Sequence, residues 1–519
     1  RIAACLFRPI VSFSSGALLG RGQPPGLLGA MARSNARAAV SCLLAALLQP
    51  CAVVAQVRVM SPDSLKRKFS NTMGRIEGST ATFGAPFYGD RVLGALVYGE
   101  SQLNHLHCAV EDYTVPKLDE FATNSNSEKT RLIQIFLVRR GKCSFTTKVK
   151  VAYDKGAHAV IIVDREDSEL TTADMKNIIV ADDGFGDKIH IPSILVAKSE
   201  GKKLIEAAKS GQVIVELAWD LPTDHVVITD LWMSSASQES LRFLKEFSPK
   251  RRVLNEVMIF QPHYAVFGMD GSNPQIYNEL CSDESGQFCA EDPDGAGPIT
   301  GRDVLAEDVR QLCIHMVHKV LRSTEASKKA GKPGVEYAAK YWDYIEQLQD
   351  SCPLAVSNPQ DQFGFGLECS TRLMKKVGID VPRVEDCVRV NYTSYLKAER
   401  EHAAWSPRAL RINGWRYSGI LDADLVMRAI CSGFVTRPTE CADLMKPRDP
   451  FVPYFEPKPE GVTFLQMLMW LLGVCLVLFG CMLLYKRYLK KEMRTTLREE
   501  VMLEVQAQMG EYQKMMGSS

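Results

Sequence analysis

A tight basic turn follows an apolar run in the segment FLVRRGKCSF, residues 136–145. Arg140 and Lys142 bring positive charge to this turn, and Gly141 permits a sharp reversal because it has no Cβ. The preceding run is typical of a buried strand, and the apolar periodicity after Phe145 predicts a helix. A turn between a strand and a helix leaves backbone N–H groups unpaired, so the segment suits a carboxylate or a peptide carbonyl as ligand.

The alternative interpretation is a solvated turn without a ligand. Cys143 would then serve only to form a disulfide with Cys108. Residue chemistry alone favours this simpler interpretation, so the choice depends on the rest of the chain.

Histidines and cysteines also cluster at two other places. Cys313, His315 and His318 share one segment, and HLHC occupies residues 105–108. Neither place has a second clustered pair of ligands nearby, so a helix face and a disulfide-bonded strand end are the more economical interpretations. The sequence also contains no H-E-x-x-H motif. We therefore predict no catalytic residue, no metal site and no cofactor.

The N-terminal region has the pattern of a secretory signal. Met31 is the first methionine, and a short basic stretch, an apolar core and small residues at Val53 and Ala55 follow it. We predict a signal peptide at residues 31–55 and an untranslated or disordered leader at residues 1–30. The alternative is an N-terminal membrane anchor.

A second apolar segment, residues 462–485, contains no charge and is long enough to cross a bilayer, which needs roughly 20 residues. Basic residues crowd the chain directly after it, so the positive-inside rule places the tail, residues 486–519, in the cytosol. The sequence thus predicts a type I membrane protein. Its formal net charge of +1 argues against nucleic acid as a partner.

Most of the cysteines lie between the predicted signal and the predicted span, where an oxidising lumen favours disulfides. None of them is spaced C-x-x-C, which argues against a zinc ribbon and a thiol-exchange site. The sequence does not determine their connectivity. The disulfide candidates are Cys108, Cys143, Cys281, Cys289, Cys431 and Cys441.

Short β-branched or apolar runs separated by turns fill residues 57–220, which predicts a strand-rich domain. Helices fit between these runs at Thr146–Lys155 and Lys198–Lys209. The lumenal part is too long for a single core, so we expect this α+β domain to be followed by another.

Several motifs resemble those of a known family. RRGKCSF, followed by GAHAVIIVD and IPSILV, is similar to the protease-associated domain, whose loop reads R-G-x-C-x-F. VMSPDSL, FGAPFYGD, FQPHYAVF and AICSGF also occur in the order found in plant-type vacuolar sorting receptors. The resemblance runs from about Val57 to Cys441 and returns in the tail.

In that family the protease-associated domain captures sorting peptides of soluble vacuolar proteins through this loop. Arg140 would hydrogen-bond peptide carbonyl or acidic groups in a fork that lysine cannot reproduce. Lys142 stands at a position that is often acidic in the plant members, so the preferred cargo residue is expected to differ here. The cargo-binding residues that the resemblance implies are Arg140, Gly141, Lys142, Cys143, Ser144 and Phe145.

Residues 221–441 have the pattern of a βαβ unit, an insertion and a later hairpin closed by a helix. The first helix places Leu241, Leu244 and Phe247 on one face, and Asn413-Gly414 marks the hairpin. This order resembles thioredoxin-like folds that carry a helical insert.

The thioredoxin-like domain is expected to be redox-inert. Active members carry C-x-x-C after the first strand, whereas this chain has serines up to Ser237, and serine cannot form the mixed disulfide of thiol exchange. The helical insert is predicted at about residues 300–405. Pro407 stands where these folds carry a cis-proline and is predicted to be cis. Asn391 begins a glycosylation sequon.

The region before the span departs from the family. The plant receptors continue after AICSGF with epidermal-growth-factor-like repeats, one of them calcium-binding, whereas this chain has a proline-rich stretch, residues 442–461, predicted to be an extended stalk. We therefore expect protonation, and not calcium, to drive cargo release. The candidate groups are His105, His107, His158, His190 and an acidic run beginning at Asp164, in which a carboxylate would orient Arg140.

The tail contains Tyr512-Gln513-Lys514-Met515, which fits the signal Y-x-x-hydrophobic. An extended peptide of this kind places Tyr512 and Met515 in two pockets of a clathrin adaptor medium subunit. The family carries its own signal of this type at the corresponding place.

Three classes of function fit a membrane-anchored lumenal protein. A peptidase or a ubiquitin ligase would need motifs that are missing from the sequence, and a lumenal redox chaperone would need C-x-x-C. A non-sorting chaperone or interaction scaffold is the alternative to a cargo receptor. We predict a multidomain α+β receptor with a protease-associated β-rich domain, a thioredoxin-like α/β domain and a single transmembrane helix. It would bind vacuolar or lysosomal cargo in the Golgi and carry it to prevacuolar or endosomal membranes.

Overall fold

The computed structural model describes residues 57–102, 105–117, 121–123, 129–269, 279–295, 297–332, 334–354, 364–442, 445–455 and 464–516. The predicted leader and signal peptide lie outside the described residues. Within the described part, two domains that mix strands and helices precede one long helix.

An eight-stranded sheet forms the first domain, in the order β2-β1-β10-β4-β7-β8-β9-β3. The strands are β1 (Val57–Ser61), β2 (Arg75–Ile76), β3 (Gly78–Thr80), β4 (Arg91–Val97), β5 (Phe121–Thr123), β6 (Lys129–Arg131), β7 (Ile133–Arg139), β8 (Ala159–Val163), β9 (Ser193–Val196) and β10 (Ile214–Ala218). Neighbouring strands from β4 to β9 run parallel, and β5 pairs with β6 in a separate hairpin. The helices are α1 (Asp63–Lys68), α2 (Phe145–Asp154), α3 (Thr172–Met175) and α4 (Lys198–Ser210).

Both faces of the central strands are buried, because side chains alternate between the two faces of a sheet. In β7, Phe136 and Val138 enter a core that includes Val149 of α2, whereas Ile135 enters a second core that includes Leu204 of α4. This explains why the strands read as continuous apolar runs. Helices α2 and α4 match the two predicted helices to within one residue at each end.

The second domain has the predicted βαβ unit, helical insertion and hairpin. Its elements are β11 (Val227–Met233), α5 (Gln238–Val253), β12 (Met258–Tyr264), α6 (Gly301–Val317), β13 (Val320–Arg322), α7 (Glu325–Lys329), β14 (Val335–Tyr337), α8 (Ala339–Ser351), α9 (Leu367–Lys376), α10 (Val381–Glu401), β15 (Ala409–Ile412), β16 (Trp415–Arg416) and α11 (Ala423–Ser432). Strand β11 lies parallel to β12 and antiparallel to β15. Leu241, Leu244 and Phe247 are all buried, as the periodicity predicted.

Five disulfides cross-link the chain, each within one of the two domains. Three join the candidate cysteines as Cys108–Cys143, Cys281–Cys289 and Cys431–Cys441. The other two, Cys313–Cys387 and Cys352–Cys369, tie α6 to α10 and α8 to α9 within the insertion. All ten cysteines between the predicted signal and the span are therefore paired.

The prediction of a cis bond before Pro407 is wrong. Within the described residues, the cis peptide bond is that between Ser61 and Pro62. The chain instead passes from α10 to β15 through a series of bends, where the Ser406 hydroxyl accepts a hydrogen bond from the Arg408 amide at 3.2 Å. With a trans bond before Pro407, the chain reaches β15 through this local turn.

The two domains contact each other through buried polar groups of residues 81–88 and 417–419. The Ser418 amide donates to the Tyr88 hydroxyl at 2.9 Å, and the rings of Tyr88 and Tyr417 stack at 5.2 Å. The Gly419 amide also donates to the Ala81 carbonyl at 2.9 Å. Apolar side chains from both domains share one core, so they are expected to move as a unit.

The first half of the predicted stalk is folded against the first domain. The Arg448 guanidinium donates to the Ala85 carbonyl at 2.5 Å and lies 3.7 Å from the centre of the Phe87 ring. Tyr454 donates from its hydroxyl to the Asp422 carboxylate at 2.6 Å. Residues 445–455 are therefore a strap that touches both domains, and the prediction of an extended stalk is wrong for this part.

The last element is a single helix, α12 (Phe464–Met516). Its part Met467–Gln513 is the one helix in the described residues that is long and apolar enough to cross a membrane. The helix continues past the predicted end of the span without a break. Tyr512 consequently lies in a helix and not in the extended conformation that an adaptor signal requires.

We predict that Arg448→Ala loosens the strap. Arg448 is half-buried, and loss of its hydrogen bonds should cost the strap about 1.5–3 kcal/mol. Amide hydrogen exchange over residues 445–455 should become faster by tenfold or more, since 1.4 kcal/mol corresponds to about a factor of ten. Arg437→Ala, at an exposed position, should leave it unchanged; equal exchange in both variants would contradict the strap contact.

Candidate functional site

The basic turn joins the end of β7 to the start of α2. Ser144 is the N-cap of α2, and its hydroxyl accepts a hydrogen bond from the Thr147 amide at 3.2 Å. The Cys143 amide donates to the Gly141 carbonyl at 2.9 Å, which closes the turn. The cap fixes where the helix begins, and the turn therefore projects from the carboxyl edge of the parallel strands.

Two consecutive residues of the turn have positive φ angles. Gly141 has φ of 123°, and a Cβ there would stand 3.0 Å from the Leu106 side chain. Lys142 has φ of 68°, which is uncommon for a residue with a side chain. The backbone at Lys142 is thus held in a conformation that residues other than glycine rarely adopt. The Lys142 side chain is exposed.

The Cys108–Cys143 disulfide anchors this turn to the segment before it. Behind the disulfide lies Lys148, a fully buried lysine whose ammonium group donates to the Leu106 carbonyl and lies 3.4 Å from the Cys108 sulfur. Burial lowers the pKa of Lys148 to about 8, and the Asp112 carboxylate partly opposes this shift. The disulfide and Lys148 together restrict the movement of the turn relative to residues 106–108.

Arg140 is fixed by a buried carboxylate on the next strand. Its guanidinium lies 2.9 Å from Asp164, whose side chain is 0% exposed. The Ser168 hydroxyl donates to the other oxygen of Asp164. The Arg140 guanidinium also lies 5.1 Å from the centre of the Phe145 ring, within the range of a cation–π contact. Its side chain remains 29% exposed, so it is both held in place and open to solvent.

The predicted acid-sensitive groups do not form one cluster. His107 lies beneath the turn, accepts the Arg139 amide at Nδ1 and donates from Nε2 to the Gly99 carbonyl at 3.0 Å. Burial lowers the pKa of His107 to about 4, although the Gly99 contact opposes the shift. His107 is therefore neutral at the pH of acidic compartments, contrary to our expectation for this residue.

The other three histidines occupy different surroundings. His105 is exposed and lies 3.0 Å from the Asp112 carboxylate. His158 and His190 lie away from the turn, where their rings contact Phe451 and Phe455 of the strap at 5.5 Å and 4.2 Å. Of the groups that we named, the Asp164 carboxylate is the one that contacts Arg140, as we expected.

The two histidine and cysteine clusters are parts of the framework. Cys313 and Cys108 are both used in disulfides, and His315 is buried, which lowers its pKa to about 3. Among the described residues, no group of three or more histidine, cysteine or carboxylate side chains is placed to hold a metal ion.

The thioredoxin-like domain has a buried carboxylate at the place of the missing C-x-x-C. The Ser235 amide donates to Asp308 at 3.0 Å, in front of α5. Burial raises the pKa of Asp308 to about 8, so its carboxyl group is largely protonated at neutral pH. Ser235 is itself buried, and the sequence offers no thiol there.

Sequence reasoning missed Lys148, Asp308 and the left-handed backbone of Lys142. Lys148 could have been noticed, because it falls on the same face of α2 as Val149 and Ala152, which are buried. Asp308 lies on a helix far along the chain from Ser235, and nothing in the sequence links the two. Asn391 lies in α10, half-buried, with its amide donating to the Cys387 carbonyl at 2.9 Å; its glycosylation stays a prediction.

Comparison with known proteins agrees with the two domains. Residues 92–204 match the PA domain family, and residues 227–431 match the vacuolar sorting receptor thioredoxin-like domain. In sequence the chain is similar to vacuolar-sorting receptors. Vacuolar-sorting receptor 3 of Arabidopsis thaliana is 28% identical over 416 residues, and vacuolar-sorting receptor 1 of Pisum sativum is 29% identical over the same length.

These matches cover 74% of this chain and 60% of each receptor, so the chain spans less than two thirds of the receptors' length. The match does not include an epidermal-growth-factor-like region, and the 20 residues between Cys441 and the predicted span contain no cysteine. A RING-domain protein of Oryza sativa subsp. japonica, the receptor homology region, transmembrane domain- and RING domain-containing protein 1, is 33% identical over 111 residues. That match covers 21% of this chain and 19% of the rice protein.

We predict that His107 makes the first domain less stable in acid. The pKa of His107 is about 4 in the folded protein and about 6.5 in the unfolded chain. Below pH 6.5 the unfolded chain therefore binds the proton more readily, and the free energy of unfolding decreases as the pH falls towards 4. The loss should approach about 3 kcal/mol at 1.4 kcal/mol per pKa unit.

Thermal unfolding of the wild type, His107→Gln and His105→Gln should be followed between pH 7 and pH 4. His107→Gln should flatten the decline in melting temperature, whereas the exposed His105 two residues away serves as the matched control. The same pH slope in wild type and His107→Gln would contradict the assignment.

Proposed function

We propose that the protein is a type I membrane receptor that binds an extended peptide segment of soluble cargo at the basic turn, residues 140–145. It would collect this cargo in the Golgi lumen and carry it to prevacuolar or endosomal membranes. The kinship with vacuolar-sorting receptors supports a cargo-sorting role. The observation that carries the proposed site is the ion pair between partly exposed Arg140 and buried Asp164.

The charge at the turn favours a ligand with carbonyl or carboxylate oxygens. On the same short turn Arg140 is partly exposed and Lys142 is exposed, and Arg139 adds a further cation, 3.8 Å from Glu166. Asp164 neutralises part of this charge but lies beneath Arg140 and not in front of it. A carboxylate of the cargo would therefore meet a net positive surface, and the fixed guanidinium would supply directed donors.

The rigidity of the turn supports binding without large rearrangement. The disulfide, the N-cap and the buried Lys148 all act on residues adjacent to Arg140. A preorganised turn loses little conformational entropy when a peptide binds, so more of the interaction energy appears as affinity. The peptide itself would be ordered on binding, which suits a receptor that must also release it.

Sorting by the tail is a separate part of the proposal. Tyr512 lies in the helical end of α12, and 67% of its surface is exposed. The end of a helix frays readily, so the last turn could extend to enter the pockets of a clathrin adaptor medium subunit. In the wild type the helix would compete with adaptor binding.

We predict that Arg140→Ala weakens cargo binding and also destabilises the first domain, because the buried Asp164 carboxylate loses its cation. The detergent-solubilised full chain would first capture peptides from total soluble lumenal protein at neutral pH, and calorimetry with a recovered peptide would then measure affinity. Loss of a fixed guanidinium should weaken binding by at least tenfold, or about 1.4 kcal/mol.

Arg91→Ala is the matched control, because Arg91 is half-exposed and ion-paired at the start of β4, at the end of the parallel strands opposite to the turn. It should bind the peptide like the wild type. Unchanged affinity in Arg140→Ala, with binding intact in the wild type, would show that cargo binds elsewhere.

A further inference from the structure

The cytosolic part of α12 carries most of its basic residues on a different face from its glutamates. With 3.6 residues per turn, four of the seven basic residues after the span, Arg487, Lys491, Arg494 and Arg498, fall within an arc of about 60°. Lys490 lies beside this arc, whereas Lys486 and Lys514 fall on the opposite side. All five glutamates after the span fall in an opposite arc of about 140°. Such a separation is typical of a helix that presents one face to an anionic surface.

Apolar residues continue the basic face towards the C-terminus. Val501, Val505, Met509 and Tyr512 lie within about 50° of the centre of the basic stripe. Each of these four side chains has at least half of its surface exposed. Leu503 lies on the glutamate side, as do Leu489 and Met493 nearer the span. We call the stripe from Arg487 to Tyr512 the basic-apolar face.

We propose that the basic-apolar face docks on the anionic cytosolic leaflet of the membrane that α12 spans. Although α12 is continuous past Tyr485, docking would require the helix to bend where the span meets Lys486 and to lie along the surface. The cations would contact lipid headgroups, the apolar side chains would enter the boundary with the acyl chains, and the glutamates would face the cytosol.

Distances favour this arrangement over an upright helix. Arg498 follows Tyr485 by 13 residues, which is about 20 Å along a helix. The screening length in the cytosol is about 8 Å, so an upright helix would leave the last cations beyond the field of the membrane. A helix that lies on the surface brings all four cations within reach.

Charge also argues against a second copy of this chain as the partner. Two parallel copies that paired through the same face would bring Arg487, Lys491, Arg494 and Arg498 of both chains together. Like charges at facing positions repel, whereas phosphatidylserine headgroups neutralise them. The lipid surface therefore fits the whole face, and a second copy fits only its apolar part.

Docking would also hide Tyr512, which lies on the basic-apolar face. This consequence rests on the proposed sorting function, but the docking itself does not. An adaptor would then gain access to the tyrosine only after the tail leaves the membrane.

The test uses the full chain in lipid nanodiscs. An environment-sensitive fluorescent amino acid replaces Val505 on the docked face or, as the matched control, Ala507 on the opposite face. Discs contain phosphatidylcholine alone or with about 30% phosphatidylserine, and brominated lipids quench probes that enter the bilayer. We expect at least twofold stronger quenching at position 505 than at 507 in anionic discs, and none at either position in neutral discs.

Two variants separate the charge of the face from its apolar side chains. Replacement of Arg487, Lys491, Arg494 and Arg498 by Gln should abolish quenching at position 505, whereas Gln at Glu499, Glu500, Glu504 and Glu511 should not reduce it. Equal quenching at 505 and 507, or no quenching in anionic discs, would overturn the proposal. If the probe at position 505 becomes buried only in discs that contain two chains, the basic-apolar face binds a second copy. That result would also overturn the proposal. Peptide binding by the lumenal domains is independent of each of these outcomes.

Discussion

The ion pair between Arg140 and Asp164 is the contact on which the proposed site depends. Arg140 follows β7 and Asp164 follows β8, and the Arg140 amide donates to the Val163 carbonyl at 2.8 Å, so parallel pairing alone brings the two residues together. A fully buried carboxylate is costly to desolvate, and a fixed cation and the Ser168 hydroxyl offset that cost. The same pair that satisfies Asp164 also holds Arg140 in one direction at the surface.

Around this pair the fold restrains the turn from three sides. The disulfide ties the turn to the preceding segment, Ser144 fixes the start of α2, and Lys148 fills the space beneath. The second domain and the strap dock on a different part of the first domain, around Tyr88 and Phe87. The turn itself is therefore left free for a ligand.

Much of the fold could be predicted because the pattern was local. The continuous apolar runs of β7 and β8, the glycine at the turn and the helix after Phe145 are short-range signals, and they predicted the correct elements. The carboxylate beside Arg140 could be anticipated because adjacent parallel strands end at one edge. In contrast, the docking of Arg448 on Phe87 and the contact of Asp308 with Ser235 join residues far apart in the chain, which no local pattern encodes. The cis-proline prediction failed because it relied on fold analogy and not on the residues of the turn.

The most direct test of the account is a double-mutant cycle on cargo-peptide affinity with Arg140→Ala, Asp164→Asn and both changes together. Asn keeps the shape of the Asp164 side chain and can still accept the Ser168 hydroxyl, so the fold should survive while Arg140 loses its anchor. If Asp164 acts by positioning Arg140, Asp164→Asn should weaken binding several-fold, and the double variant should bind no worse than Arg140→Ala, with a coupling energy of about 1 kcal/mol or more. Wild-type affinity in Asp164→Asn, or losses that simply add in the double variant, would contradict the account.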